Sequence, residues 1–143
     1  MASAQSHQAS STASCQVVVA DDNHDAADSL ALLINTLGYP ARAVYDGREA
    51  VAACKALSPH LMICDIEMPL ADGLEAARRI RANDHRPDLK LVALSALSGE
   101  LHRRECSAAG FDRHFVKPIG IDQLRGLLAS YLGSAVPASG LSR

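Results

Sequence analysis

The chain has 143 residues, 48% of them hydrophobic, and a formal net charge of -2 at pH 7. That length and apolar content suffice for one domain with a sizeable core, while the near-neutral balance offers no electrostatic footprint for nucleic acid or an anionic membrane surface. No run approaches the roughly 18 apolar residues of a membrane span, residues 1–14 lack the basic and apolar regions of a secretory signal, and a cytoplasmic location is expected.

Residues 1–14, rich in Ser, Ala and Gln, read as a disordered leader, and 134–143, with Pro137 and Gly140, as a flexible tail, leaving one domain over 15–133. A first strand over 16–20 carries Val17-Val18-Val19-Ala20 up to Asp21-Asp22. The helix that begins near Asp25 puts Leu30, Leu33, Ile34 and Leu37 on one face and closes at Gly38. A second strand over 41–44 passes through the turn signal Asp46-Gly47 into a helix over 49–57, and Pro59 resets the chain. The third strand, 60–64, delivers Asp65 to a loop, 66–73, shaped by Pro69 and Gly73, and a helix carrying Leu74, Ala77 and Ile80 follows. Its Arg78-Arg79-Ile80-Arg81 run reads as a solvated face.

A fourth strand, 89–94, ends at Ser95, and the next helix, 99–109, stops at Gly110. The fifth strand, 114–116, ends at Lys117-Pro118. The last helix, 122–132, keeps Leu124, Leu127, Leu128 and Tyr131 on one stripe, with Asp122 as its expected cap. Short apolar runs separated by helical patterns read as buried strands of a parallel α/β sheet, here five βα units, and such sheets bind ligands beyond the strands' carboxyl ends.

That rim gathers Asp21, Asp22, Asp65, Ser95 and Lys117. Clustered carboxylates raise one another's proton affinity and call for a cation. All-oxygen ligands suit Mg2+, which is held by one or two carboxylates and keeps positions for phosphate oxygens. Lys117 and the Ser95 hydroxyl can each pair with a phosphoryl oxygen, and Asp65, the carboxylate standing alone at its strand end, is the nucleophile. Cys15, Cys54, Cys64 and Cys106 show no CxxC spacing and read as reduced thiols. The six histidines form no HxH or HExxH arrangement, so a structural or surface role is expected for each except His114.

Asp21-Asp22-Asn23, Asp65-Ile66-Glu67-Met68-Pro69 with Asp72-Gly73, Ser95-Ala96 and Lys117-Pro118 together resemble the motifs of a two-component response regulator receiver domain, over about 16–132. The resemblance implies a doubly wound, flavodoxin-like (βα)5 fold with a five-stranded parallel sheet in the order 2-1-3-4-5. It implies that Asp65 accepts a phosphoryl group from a phosphohistidine on a histidine kinase or histidine phosphotransfer protein. Asp22, Asp65 and the Glu67 backbone carbonyl would bind Mg2+, with Asp21 acting through metal-bound water, and Lys117 would pair with the phosphoryl group.

By the same resemblance Ser95 and His114 hold the switch positions, where imidazole is smaller and more polar than the usual Tyr or Phe, so coupling is weaker or pH-sensitive. Glu67 and Leu97 occupy positions that tune loss of the phosphoryl group. The implied output surface is about 99–132, with Arg103, Arg104 and Tyr131, and the downstream partner is a protein, since 133–143 is too short for a helix-turn-helix module. No membrane insertion and no direct nucleic-acid contact are expected. Two alternatives compete. A haloacid-dehalogenase-type phosphatase also uses a strand-end Asp, an acid two residues on, a Ser/Thr and a Lys, but here the metal acids precede the nucleophile and no cap domain encloses a substrate. A docking module without chemistry would be indifferent to Asp65→Asn.

Overall fold

A computed structural model describes residues 15–68, 72–83 and 88–133. The expected leader, the expected tail and Pro69 lie outside the described residues. Five strands, β1 (Val17–Ala20), β2 (Ala41–Val44), β3 (Leu61–Asp65), β4 (Lys90–Ser95) and β5 (Arg113–Val116), alternate with five helices. These are α1 (His24–Thr36), α2 (Gly47–Leu57), α3 (Gly73–Asn83), α4 (Glu100–Ala109) and α5 (Ile121–Leu132). All strand pairs are parallel, in the order β2-β1-β3-β4-β5, which is the expected doubly wound topology.

The near-continuous apolar runs of β1, β3 and β4 follow from burial on both faces. Side chains alternate across the sheet: Val17, Val19, Leu61, Ile63, Val92 and Leu94 pack with Ala27 and Ile34 of α1 and with Leu124, Leu127 and Leu128 of α5. Val18, Ala20, Met62, Cys64, Leu91 and Ala93 pack on the opposite side with residues of α2, α3 and α4, among them Ala50, Ile80 and Cys106. The edge strands β2 and β5 are only partly buried. Among the described residues no helix is long and apolar enough to cross a membrane.

Local chemistry sets the element ends. Asn23 caps α1 by accepting from the Ala26 N–H, and Asp46 caps α2 by accepting from the Glu49 N–H. The expected cap of α5 is corrected: the helix starts at Ile121 on an extended Gly120, whose N–H donates to Gln123 Oε1 at 2.9 Å, so Asp122 lies inside the first turn. Its carboxylate there still faces the favourable end of the helix dipole. Asp65 also differs from expectation in being the last residue of β3, because it pairs in register with Leu94. Arg81 is not part of a solvated face. It donates to the Gly110 and Leu89 carbonyls and to Asp112 Oδ2, at 3.0, 2.8 and 2.7 Å, tying α3 to the ends of α4, β4 and β5.

Candidate functional site

The parallel strands end side by side, and their last residues build the rim. Asp21 follows β1, Asp65 ends β3, Ser95 ends β4 and Lys117 follows β5. Asp21, Asp65 and Ser95 are the buried polar side chains among the described residues, at 6%, 3% and 0% exposure, while Asp22 is exposed beside them. Carboxylate oxygens of Asp21, Asp22 and Asp65 all lie within 4.8 Å of one another. Lys117 Nζ sits 3.5 Å from Asp21 Oδ2 and 3.4 Å from Asp65 Oδ1, and the Lys117–Pro118 peptide is cis. The rim therefore unites the predicted Asp21, Asp22, Asp65, Ser95 and Lys117.

Backbone donors hold two of the acids. The Asn23 N–H donates to Asp21 Oδ1 at 3.0 Å, and the Glu67 N–H donates to Asp65 Oδ1 at 3.2 Å. Burial pushes the Asp65 carboxyl up to about 6, with Asp21 adding to the rise and Lys117 opposing it. Burial works against charge on Lys117, yet Asp65 and Asp21 outweigh it and hold the ammonium's pKa above its usual value. Three carboxylates thus face one ammonium, and the most deeply buried of them resists ionisation. The all-oxygen donor set of Asp21, Asp22 and Asp65 is one that could hold a divalent cation, and it suits Mg2+.

Glu67 uses its side chain as well as its backbone. Its Oε2 accepts from the Ser95 hydroxyl at 2.5 Å and its Oε1 from the Ala96 N–H at 3.0 Å. Burial raises the Glu67 pKa, but these two donors prevail and hold the carboxyl below its usual range. The Ser95 oxygen also accepts from the Leu97 N–H at 3.0 Å and lies 2.9 Å from His102 Nε2. Since the hydroxyl proton goes to Glu67, the His102 contact is made with Nε2 protonated. Leu97 itself is 55% exposed.

His114 pairs in register with Ala93 on β4, and its ring meets His102 edge-on with centroids 5.3 Å apart. Burial, then the neighbouring His102 and Arg103, lower its pKa. The Leu97 backbone lies near enough to oppose that shift but outside hydrogen-bonding geometry, so both ring nitrogens are buried without a partner. The sequence assigns His102 a structural or surface role and no place at the site; in the structure it touches Ser95, approaches Cys106 Sγ at 3.9 Å and meets His114 edge-on. The available signal was the four-residue spacing of His102 and Cys106 on one helix, which places both on one face.

The family model for the response regulator receiver domain matches residues 17–129. The chain is 29% identical over 125 residues to a protein of Mycolicibacterium vanbaalenii named response regulator MprA, an alignment covering 87% of this chain and 53% of that one. It spans about half the length of the curated relatives it matches. Among solved structures, it is similar to the receiver domain of the Pseudomonas aeruginosa sensor histidine kinase PA1611, described with a magnesium ion coordinated in the active site cleft. Identity there is 27%, TM-score 0.73, and coverage 84% of this chain and 99% of that one. The Vibrio cholerae chemotaxis protein CheY4 shares the fold at TM-score 0.76 and 24% identity, covering 82% of this chain and 98% of its own.

Proposed function

The chain belongs to the response regulator receiver domain family, and from that premise we propose that Asp65 is the phosphoacceptor of a two-component signalling step. The observation that carries the reading is the convergence on Asp65 of two further carboxylates and the Lys117 ammonium at the end of a parallel sheet. An Asp65 oxygen attacks the phosphorus of a phosphohistidine on a histidine kinase or phosphotransfer protein. The P–N bond breaks and its electron pair returns to the departing imidazole, leaving an aspartyl phosphate. Lys117 pairs with the phosphoryl oxygens, and the Ser95 hydroxyl and Ala96 N–H, now donating to Glu67, are the donors available to the new group.

Asp21, Asp22, Asp65 and the Glu67 backbone carbonyl would hold Mg2+, which when bound neutralises the charge of the carboxylates and of the incoming phosphoryl oxygens. The magnesium described in the Pseudomonas aeruginosa relative supports that assignment. Ser95 and His114 act as the switch positions. Output runs through the face built by α4, β5 and α5 to a protein target, and the free thiols of all four cysteines fit a reducing cytoplasm. Support for the docking face comes from exposed apolar side chains: of five such large residues among the described ones, Leu97, Leu101, Val116 and Ile121 lie on or beside those elements.

The test is intact mass after incubation with acetyl phosphate, with and without Mg2+, for the parent and Asp65→Asn. One phosphoryl group gained by the parent alone, and only with Mg2+, is the expected result. A folded parent that gains nothing overturns the assignment, and donor consumed without an accumulating adduct would make the chain a hydrolase instead.

A further inference from the structure

A second cluster of side chains of metal-ligating type adjoins Ser95, which His102 touches. α4 presents His102 and Cys106 on one face and β5 brings His114 against them, so that one ligand atom from each lies within 4.8 Å of the other two. Cys106 is 1% exposed and the His102 side chain 12%. Both nitrogens of His114 are buried with no hydrogen-bond partner, an arrangement that leaves the desolvation of a polar ring uncompensated. Nothing in the phosphoacceptor chemistry uses Cys106.

We propose that His102, Cys106 and His114 form a zinc site between α4 and β5. Two imidazoles and one thiolate are a ligand set matched to Zn2+, and three protein ligands leave a fourth position for water. Zn–N and Zn–S bonds of about 2.0 and 2.3 Å set tetrahedral ligand atoms roughly 3.5 Å apart. The 3.9 Å between His102 Nε2 and Cys106 Sγ is within a few tenths of an ångström of that spacing. Glu105 Oε1 stands 3.7 Å from His102 Nδ1, and its charge there favours keeping a proton on Nδ1 when the Nε2 proton leaves to solvent and Nε2 turns to a metal. A cleft of about 370 Å³ lined by Cys106 and His114 supplies the entry path.

Arg103 and Arg113 also line that cleft and oppose a cation. The thiolate formed when the Cys106 proton leaves to solvent offsets them, as do Glu105 and Glu67. Because His102 Nε2 is the same atom that contacts Ser95 at 2.9 Å, coordination exchanges that contact for a metal bond. Zinc thereby changes the setting of the hydroxyl at the phosphoryl site, a link that rests on the phosphoacceptor reading above.

Titration of the full chain with Co2+ under saturating Mg2+ tests the site, since only a cysteine-bound ion gives thiolate-to-cobalt charge-transfer absorption. One equivalent is expected to produce the band, and Zn2+ to bleach it. Cys106→Ser should abolish it, and Glu105→Ala, which leaves all three ligands in place, should weaken binding about 10- to 100-fold. A folded parent without the band, or a band that survives Cys106→Ser, overturns the proposal. Adduct formation on Asp65, measured in zinc-free and zinc-loaded protein, tests the link separately: equal rates with the band present remove it, whereas no adduct in zinc-free protein counts against the phosphoacceptor reading and not against the metal site.

Discussion

Glu67 occupies two of the donors that a phosphoryl group on Asp65 would seek, leaving Lys117. Ser95 and Ala96 follow Leu94, the register partner of Asp65, and the Glu67 carboxylate takes the hydroxyl of one and the N–H of the other. An incoming anion must displace a resident one. Glu67→Gln keeps the size and removes the charge, weakening the resident contacts by on the order of 1.4 kcal/mol, the difference between charged and neutral acceptors. Phosphoryl uptake from acetyl phosphate should then rise about tenfold. Time courses of intact mass would measure it, and a rate equal to or below the parent's would refute the competition. The acid itself is visible in the sequence two residues after Asp65, but its direction is not, because a side chain's partner depends on which strand end lies next to its own.

Among the elements, α3 shows how a helix start holds a site in place. Gly73 lies so close to the end of β3 that a Cβ there would stand 2.6 Å from the Asp65 carbonyl oxygen and 2.8 Å from the Ile66 Cα. Both contacts are backbone, so Gly73→Ala must move the segment that carries Asp65 or tilt the helix away from it. Overpacking of this kind costs about 1–3 kcal/mol. Urea denaturation should show that loss together with slower phosphoryl uptake, whereas Gly126→Ala in α5, where nothing lies within 4 Å of the added methyl, should be neutral or stabilising. Equal stability of Gly73→Ala and parent would contradict the close approach. The sequence marked Gly73 as a loop-shaping residue, and α4 as a helix ending at Gly110, from local signals alone. It misread Arg81, because the carbonyls of Leu89 and Gly110 that receive its guanidinium come from other parts of the chain.

For the whole molecule, the rim trades stability for function. Asp65 has a folded pKa of about 6, against about 3.9 in an unfolded chain. Between those values the native state binds more protons at Asp65 than the unfolded state does, so stability falls as pH rises through the window and the deficit persists above it. With the solvent that reaches the rim screening part of the effect, it amounts to ~1 kcal/mol, a Tm difference of about 3–6 °C. In chelator at pH 7, Asp65→Asn should therefore melt above the parent, with the two converging near pH 4. Mg2+ should raise the parent's Tm and narrow the gap. Parallel pH profiles of the two proteins, or a parent indifferent to Mg2+, would refute this account.

By itself, the sequence determined the five βα units, the two-sided burial of β1, β3 and β4, and the arrival of Asp21, Asp22, Asp65, Ser95 and Lys117 at strand ends. Those features are local: they are written in apolar runs, in helical periodicity and in the residue that follows each strand, and a parallel sheet necessarily brings such ends to one rim. Only the tertiary structure decided that Glu67 turns onto Ser95 and that His102, Cys106 and His114 meet. The first depends on β4 lying next to β3, and the second on how closely α4 packs over β4 and β5, a distance set by the bulk of buried side chains such as Cys106, Ala109 and Phe111. No spacing along the chain encodes that distance.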